Sequence, residues 1–131
     1  MSITYIIEGQ PVPLQRPRFS RGHVFDSQKD IKYAIGLLLR SQHSNRPMYE
    51  DAIHLDIVFY MTIPKKSKVT GWHIKRADLD NLVKLICDVS IGILYEDDSC
   101  IAKITACKVY DSIPRTEFTL TQLPERTLPQ L

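Results

Sequence analysis

Carboxylates are the residues with the most chemical potential in this chain, and they are crowded. Asp78, Asp80, Asp88, Glu96, Asp97 and Asp98 are six acids in one short stretch, and Lys84 is the only base among them. Like charges packed together repel, and such a cluster becomes stable when a hard divalent cation sits between the oxygens. Oxygen-only ligands point to Mg²⁺, with Mn²⁺ as a substitute. A carboxylate-held metal beside a lysine suits phosphodiester hydrolysis. The metal can activate a water and neutralise charge on the phosphate, and Lys84 can face the developing charge as a fixed cation. Asp78 and Asp80 flank Leu79, so an extended segment would set both carboxylates on one side. Asp80 is expected near a helix N-cap, where free N–H groups favour an anion.

Each acid also has a plainer explanation. Asp80 alone reads as a cap. Lys84 lies four residues from both Asp80 and Asp88, the spacing of a helix-surface ladder. Residues 95–98 read as a solvated turn. What weighs against these readings jointly is the concentration of acids without matching bases. A Ca²⁺-binding EF-hand fits poorly, because Leu82 and Val83 stand where a further ligand and the obligatory Gly belong.

The charge distribution supplies a second signal. Residues 1–77 hold twelve Lys/Arg and six Asp/Glu, whereas residues 78–131 hold five and nine, so a net charge of +2 conceals a basic half and an acidic knot. Arg16, Arg18 and Arg21 lie with Phe19 in a Pro-rich stretch, and Lys65, Lys66, Lys68, Lys75 and Arg76 run straight into Asp78. Such a half can hold a polyanion through phosphate contacts. Tyr5, Phe19 and Trp72 are expected to be packing residues rather than base contacts.

The elements that must position these groups follow from periodicity. Residues 3–8 read as a strand, and the three prolines at 11, 13 and 17 demand an extended loop over 9–19. A helix is expected over 28–43, with Ile31, Ala34, Ile35, Leu38 and Leu39 as its stripe. Ile53, Leu55, Ile57, Phe59 and Met61 alternate on one face of a strand over 53–63. A second helix is expected over 79–92, burying Leu79, Leu82, Val83, Ile86 and Val89 and ending at Gly92. Strands over 100–110 and 115–120 follow, expected to pair antiparallel with each other, and 124–131 reads as a tail. The fold class is therefore α+β: one domain of 131 residues, with a mixed sheet of about four strands and helices packed against it.

Other classes are excluded. No run of about 20 apolar residues exists, so no membrane span or membrane partner is expected. The opening residues lack a basic and then apolar leader, and no secretory signal is read. Cys87, Cys100 and Cys107 lack CxxC spacing and the four histidines are scattered, so buried thiols in a reducing cytoplasm are expected rather than zinc ligands.

The stretch from Arg76 to Lys84, then Asp88, Gly92 and Tyr95-Glu96-Asp97-Asp98, resembles the signature of the RusA family of Holliday junction resolvases. That signature is an acid-x-acid-Asn-x-x-Lys helix start, a further Asp, a Gly and an acidic pair. The segment from Gly9 to Arg18 also resembles the N-terminal loop of many members. The resemblance covers most of the chain. It implies a homodimeric, Mg²⁺-dependent endonuclease that nicks two strands symmetrically across a four-way DNA junction, in recombination and repair. No small-molecule cofactor is implied. Members are commonly carried by phages and prophages, which implies a cytoplasmic protein working at the nucleoid. By position, Asp78, Asp80 and Asp98 would bind the metal and Lys84 would be the catalytic lysine. The choice between Asp97 and Asp98 stays open. A symmetric double cut needs two sites related by a two-fold, which a homodimer supplies. The competing readings are a metal-dependent nuclease for flap or fork DNA and a DNA-binding module without catalysis.

Overall fold

The structure is a computed structural model that describes residues 1–65 and 71–130. In chain order its elements are β1 (Ser2–Glu8), β2 (Arg18–Ser20), β3 (His23–Phe25), α1 (Lys29–His43), β4 (Ile53–Thr62), α2 (Leu79–Ser90), β5 (Ile101–Asp111) and β6 (Arg115–Gln122). A single 3₁₀ turn over Asp98–Cys100 precedes β5. The mixed four-stranded sheet and two helices agree with the expected α+β class. Residues 123–130 carry no helix or strand.

β4 is the centre of the molecule. Its alternate residues Ile53, Leu55, Ile57, Phe59 and Met61 are all buried, as period-two geometry requires of a strand with one covered face. The sheet order is β1-β6-β4-β5. β4 pairs parallel with β5 and antiparallel with β6, and β6 pairs antiparallel with β1.

The last two strands are therefore not partners, contrary to expectation. They run in opposite directions on either side of β4. The reason is burial: β4, with five alternate side chains buried, takes one of the two interior positions of the sheet, and β5 and β6 pair with its two edges. Ser112 to Pro114 carry the chain across the end of β4, a gap of roughly 10 Å for two strand spacings. Arg115 secures that crossing. Its guanidinium lies 3.8 Å from the centre of the Tyr60 ring and donates to Asp111 at 2.7 Å and Glu117 at 2.8 Å.

Both helices cover one face of the sheet. α2 buries Leu82, Val83, Leu85, Ile86, Cys87 and Val89, close to the expected stripe, with Leu79 half-buried at its start. Gly92, at φ 79°, adopts the left-handed backbone just beyond the helix. α1 departs more from expectation. It buries Ile35, Gly36, Leu39 and His43, while Ile31 and Leu38 stay exposed. The polar His43 is accommodated because Tyr5 donates to its Nδ1 at 2.7 Å and its Nε2 donates to the Pro47 carbonyl at 3.0 Å. Cys87 is buried and the other two thiols are half-buried, all free, as expected. Among the described residues no helix is long and apolar enough to cross a membrane.

Leu82 is fully buried where α2 meets the sheet. Leu82→Ala is expected to destabilise the fold by about 2–5 kcal/mol, measured by denaturant unfolding. A loss below about 1 kcal/mol would show that α2 is not held by this contact.

Candidate active site

The helix that carries the acids starts at Leu79, as expected, but its cap is a different residue. Asp78, not Asp80, occupies the N-cap: its backbone is extended at φ −68° and ψ 140°, and its carbonyl accepts from Leu82 N at 3.2 Å. Its carboxylate makes no capping bond. Asp80 sits in the first helical turn, so the period-two argument for a shared side does not apply. Both carboxylates are exposed at the positive end of the helix dipole.

Lys84 follows one turn later, also exposed. The ion pairs among the described residues are Lys32–Asp26, Arg115–Asp111 and Arg115–Glu117. Lys84 therefore forms no ladder with Asp80 or Asp88, and no protein cation neutralises Asp78, Asp80 or Asp98 there. Uncommitted, exposed oxygen donors fit a hard cation.

The second acidic pair is placed differently. Asp97 caps the 3₁₀ turn: its Oδ2 accepts from Ser99 N at 3.1 Å, and the bonds from Ser99 hold its carboxyl below the usual range. Asp98, in the first turn of that segment, makes no such bond. The buried Tyr95 hydroxyl donates to the Cys87 carbonyl at 2.7 Å, tying this turn to the far half of α2. Asp98 lies just before Ile101, at the start of β5. Asp78 lies near Lys108, seven residues further along that strand. Those seven residues span roughly 23 Å of extended chain. One protomer therefore keeps Asp98 apart from Asp78 and Asp80, and among the described residues no three His, Cys, Asp or Glu lie close enough to share a metal.

Two segments that carry basic residues are tied near the start of α2. Arg16, Arg18, Arg21, Lys65, Lys75 and Arg76 are all exposed; Lys66 and Lys68 lie outside the described residues. Within the Pro-rich region, β2 and β3 form a hairpin that periodicity did not reveal. Its loop is fixed beside the acids, since Leu14 N donates to the carbonyl of Asn81, next to Asp80, at 2.9 Å. The buried Gln28 side chain holds the same loop, donating to Pro13 O at 2.8 Å and accepting from Gln15 N at 2.9 Å.

The approach to Asp78 from the other side is strapped to β5. His73 N donates to the Lys108 carbonyl at 3.1 Å and Tyr110 N to the Gly71 carbonyl at 2.8 Å. The Lys108 ammonium donates to the carbonyls of Lys75 at 2.7 Å and Ala77 at 2.6 Å. His73 is buried against Tyr110, and burial together with the Lys108 charge lowers its pKa. Neither Lys108 nor Gln28 carries a sequence signal, because each acts by meeting a segment far away in the chain. Tyr5 is buried as expected, but Phe19 and Trp72 are 72% and 66% exposed and pack against little. Short flanking elements give these two rings no core to enter.

Comparison with known proteins shows what the chain as a whole is similar to. Residues 8–121 match the family model described as Endodeoxyribonuclease RusA. The uncharacterized protein YqaN of Bacillus subtilis (strain 168) is 28% identical over 138 aligned residues, covering 92% of this chain and 96% of that protein. The crossover junction endodeoxyribonuclease rusA of Lactococcus phage r1t is 35% identical over 72 residues, covering 54% of this chain and 55% of that protein.

Lys108→Met keeps the aliphatic stem and removes both bonds to the segment before Asp78. Bonds from a charged donor are worth about 1.5–3 kcal/mol, so the melting temperature is expected to fall by roughly 3–10 °C. Exchange of the His73 and Leu82 amides, which donate to the Lys108 and Asp78 carbonyls, should accelerate while β4 stays protected. Unchanged exchange there would show that Lys108 does not hold this segment.

Proposed function

The chain belongs to the RusA family of endodeoxyribonucleases, and on that premise we propose that it resolves four-way DNA junctions by paired symmetric nicks with bound Mg²⁺. The observation that carries this reading is the set of unpaired carboxylates at the start of α2, flanked on both sides by anchored basic segments.

Asp78 and Asp80 hold the metal, and Asp98, whose carboxylate is not spent on capping as that of Asp97 is, supplies the third ligand. When bound, Mg²⁺ activates the attacking water and neutralises charge at the scissile phosphate; Mn²⁺ can replace it. Lys84, held on a rigid helix, presents its ammonium to the charge that develops on the phosphate. Arg16, Arg18, Arg21, Lys65, Lys66, Lys68, Lys75 and Arg76 bind the phosphates of the arms and fix the register of the DNA.

The separation of Asp98 from Asp78 and Asp80 along α2 supports a homodimer. A second copy, related by a two-fold axis crossing α2, runs its helix in the opposite sense. Asp98 of the partner subunit then comes to Asp78 and Asp80, and two equivalent sites form. Paired nicks follow from that symmetry. The protein acts in the cytoplasm of a bacterial or phage-infected cell, on recombining or repaired DNA.

The test is cleavage of a synthetic four-way junction and of matched linear duplex, flap and fork DNA, in Mg²⁺ or EDTA. Paired nicks on the junction alone are expected, abolished by EDTA. Equal cutting of the other substrates would favour a general nuclease, and binding without cutting a non-catalytic module. Asp80→Asn is expected to fall below about 1% of the wild-type rate while still binding the junction. Lys84→Ala should lose roughly 100- to 1,000-fold in turnover with binding retained. Mixing Asp80→Asn with Asp98→Asn should restore single nicks, since a mixed dimer holds one intact site. Full nicking by Asp80→Asn would refute the assignment.

A further inference from the structure

The β2–β3 hairpin is the most exposed ordered element of the fold. Every residue from Arg18 to Phe25 is exposed. Its two-residue turn is Arg21–Gly22, at φ 51° and 78°, the backbone of the tight turn that suits a twisted hairpin. The register pairs Phe19 with Val24, and Arg18 with Phe25. Period-two geometry therefore puts Phe19 and Val24 on one face and Arg18 and Phe25 on the other. Phe19 is 72% exposed and Val24 67%. An aromatic and a β-branched side chain side by side on a surface strand, uncovered, do nothing for the core.

Two features say what covers them. The first is charge. Arg16, Arg18 and Arg21 all lie within three residues of Phe19 along the chain and are exposed, and the nearby acid, Asp26, is already paired to Lys32 at 2.8 Å. The hairpin thus carries its apolar pair on a strongly cationic element, with Arg18 on the opposite face, and that charge complements a polyanion. The second is position. Leu14 is bonded to Asn81 and Gln28 grips Pro13 and Gln15. The base of the hairpin is thus rigid and adjoins Asp80, while its tip projects roughly 10 Å beyond.

We propose that this hairpin is a wedge that stacks Phe19, backed by Val24, on base pairs left open at the branch point of DNA, while the arginines hold the flanking phosphates. The proposal rests on the junction-resolving reading and deepens it by assigning how the branch is recognised. Inside a duplex both faces of a base pair are covered by neighbours. Where arms meet, the terminal pairs offer a face on which a side chain can stack, and apolar side chains inserted between base steps unstack and bend DNA. An apolar pair on a hairpin whose base is tied beside the carboxylates therefore distinguishes a branch from a continuous helix and sets the distance from branch to cut. Arginines alone bind any duplex.

The experiment uses the full-length protein in EDTA and a four-way junction carrying 2-aminopurine beside the branch point, which brightens when its base leaves the stack. Wild type should brighten the junction and not a matched linear duplex. Phe19→Ala, at an exposed site, should keep its melting temperature. It should lose most of the brightening and bind the junction at least roughly fivefold more weakly, the loss of one base–aromatic stack. Its duplex affinity should stay within about twofold, and Phe19→Trp should restore the signal. Arg21→Gln should instead weaken junction and duplex alike and flatten the salt dependence. Undiminished brightening and affinity in Phe19→Ala would overturn the wedge while leaving junction binding intact. Conversion of the free protein from dimer to monomer by Phe19→Ala, seen by sedimentation, would also overturn it, by assigning the face to a second copy. A wild type with no preference for the junction over duplex would remove the underlying reading and the wedge with it.

Discussion

The arrangement of this protein hangs on the burial of one face of β4 beneath α2. β4 places five alternate apolar side chains under the helices, and burying a side chain of that kind is worth about 1.5–3 kcal/mol. Because β5 pairs parallel to β4, α2 must return the chain from the end of one strand to the start of the next. Its N-terminus is thereby forced to the edge where β4 ends, and its C-terminus to the opposite edge. The location of Asp78 and Asp80, the tie of the next turn to Cys87, and the distance between the two acidic pairs all follow from that geometry.

Electrostatics then sorts the acids into two groups. Asp111 and Glu117 are matched to Arg115, and Asp26 to Lys32, at distances under 3 Å. These pairs secure local structure. Asp78, Asp80 and Asp98 have no such partner among the described residues. Exposed carboxylates without a protein cation there are what the proposed metal would engage. The helix dipole adds to the stability of anions at the start of α2.

Hydrogen bonds anchor both segments that flank the acids. The loop before β2 and the segment before Asp78 enter from different parts of the chain, yet each is fixed by hydrogen bonds within a few residues of the acids. Gln28 and Leu14 serve the first, Lys108 and His73 the second. Both carry an exposed aromatic ring, Phe19 and Trp72. Chemistry on a phosphodiester depends on positioning, and groups held by short bonds to strands and helices lose little precision on binding.

The amino-acid order by itself determined the α+β class, the two helices and the four strands of the main sheet to within about two residues, though not the β2–β3 hairpin, together with the acid-x-acid-Asn-x-x-Lys start and the basic stretch before it. These rest on short-range rules of period, capping and turn chemistry that act within a few residues. The tertiary structure alone decided three things. It inserted β4 between β5 and β6, because strand order depends on which strand has the most apolar surface to cover. It set Asp98 at the far end of α2, because the span of a helix and a strand separates residues that a linear motif lists together. And it left Phe19 and Trp72 in solvent, because whether an aromatic ring is core or surface depends on what the fold brings over it. Among the described residues, little covers the rings of Phe19 and Trp72.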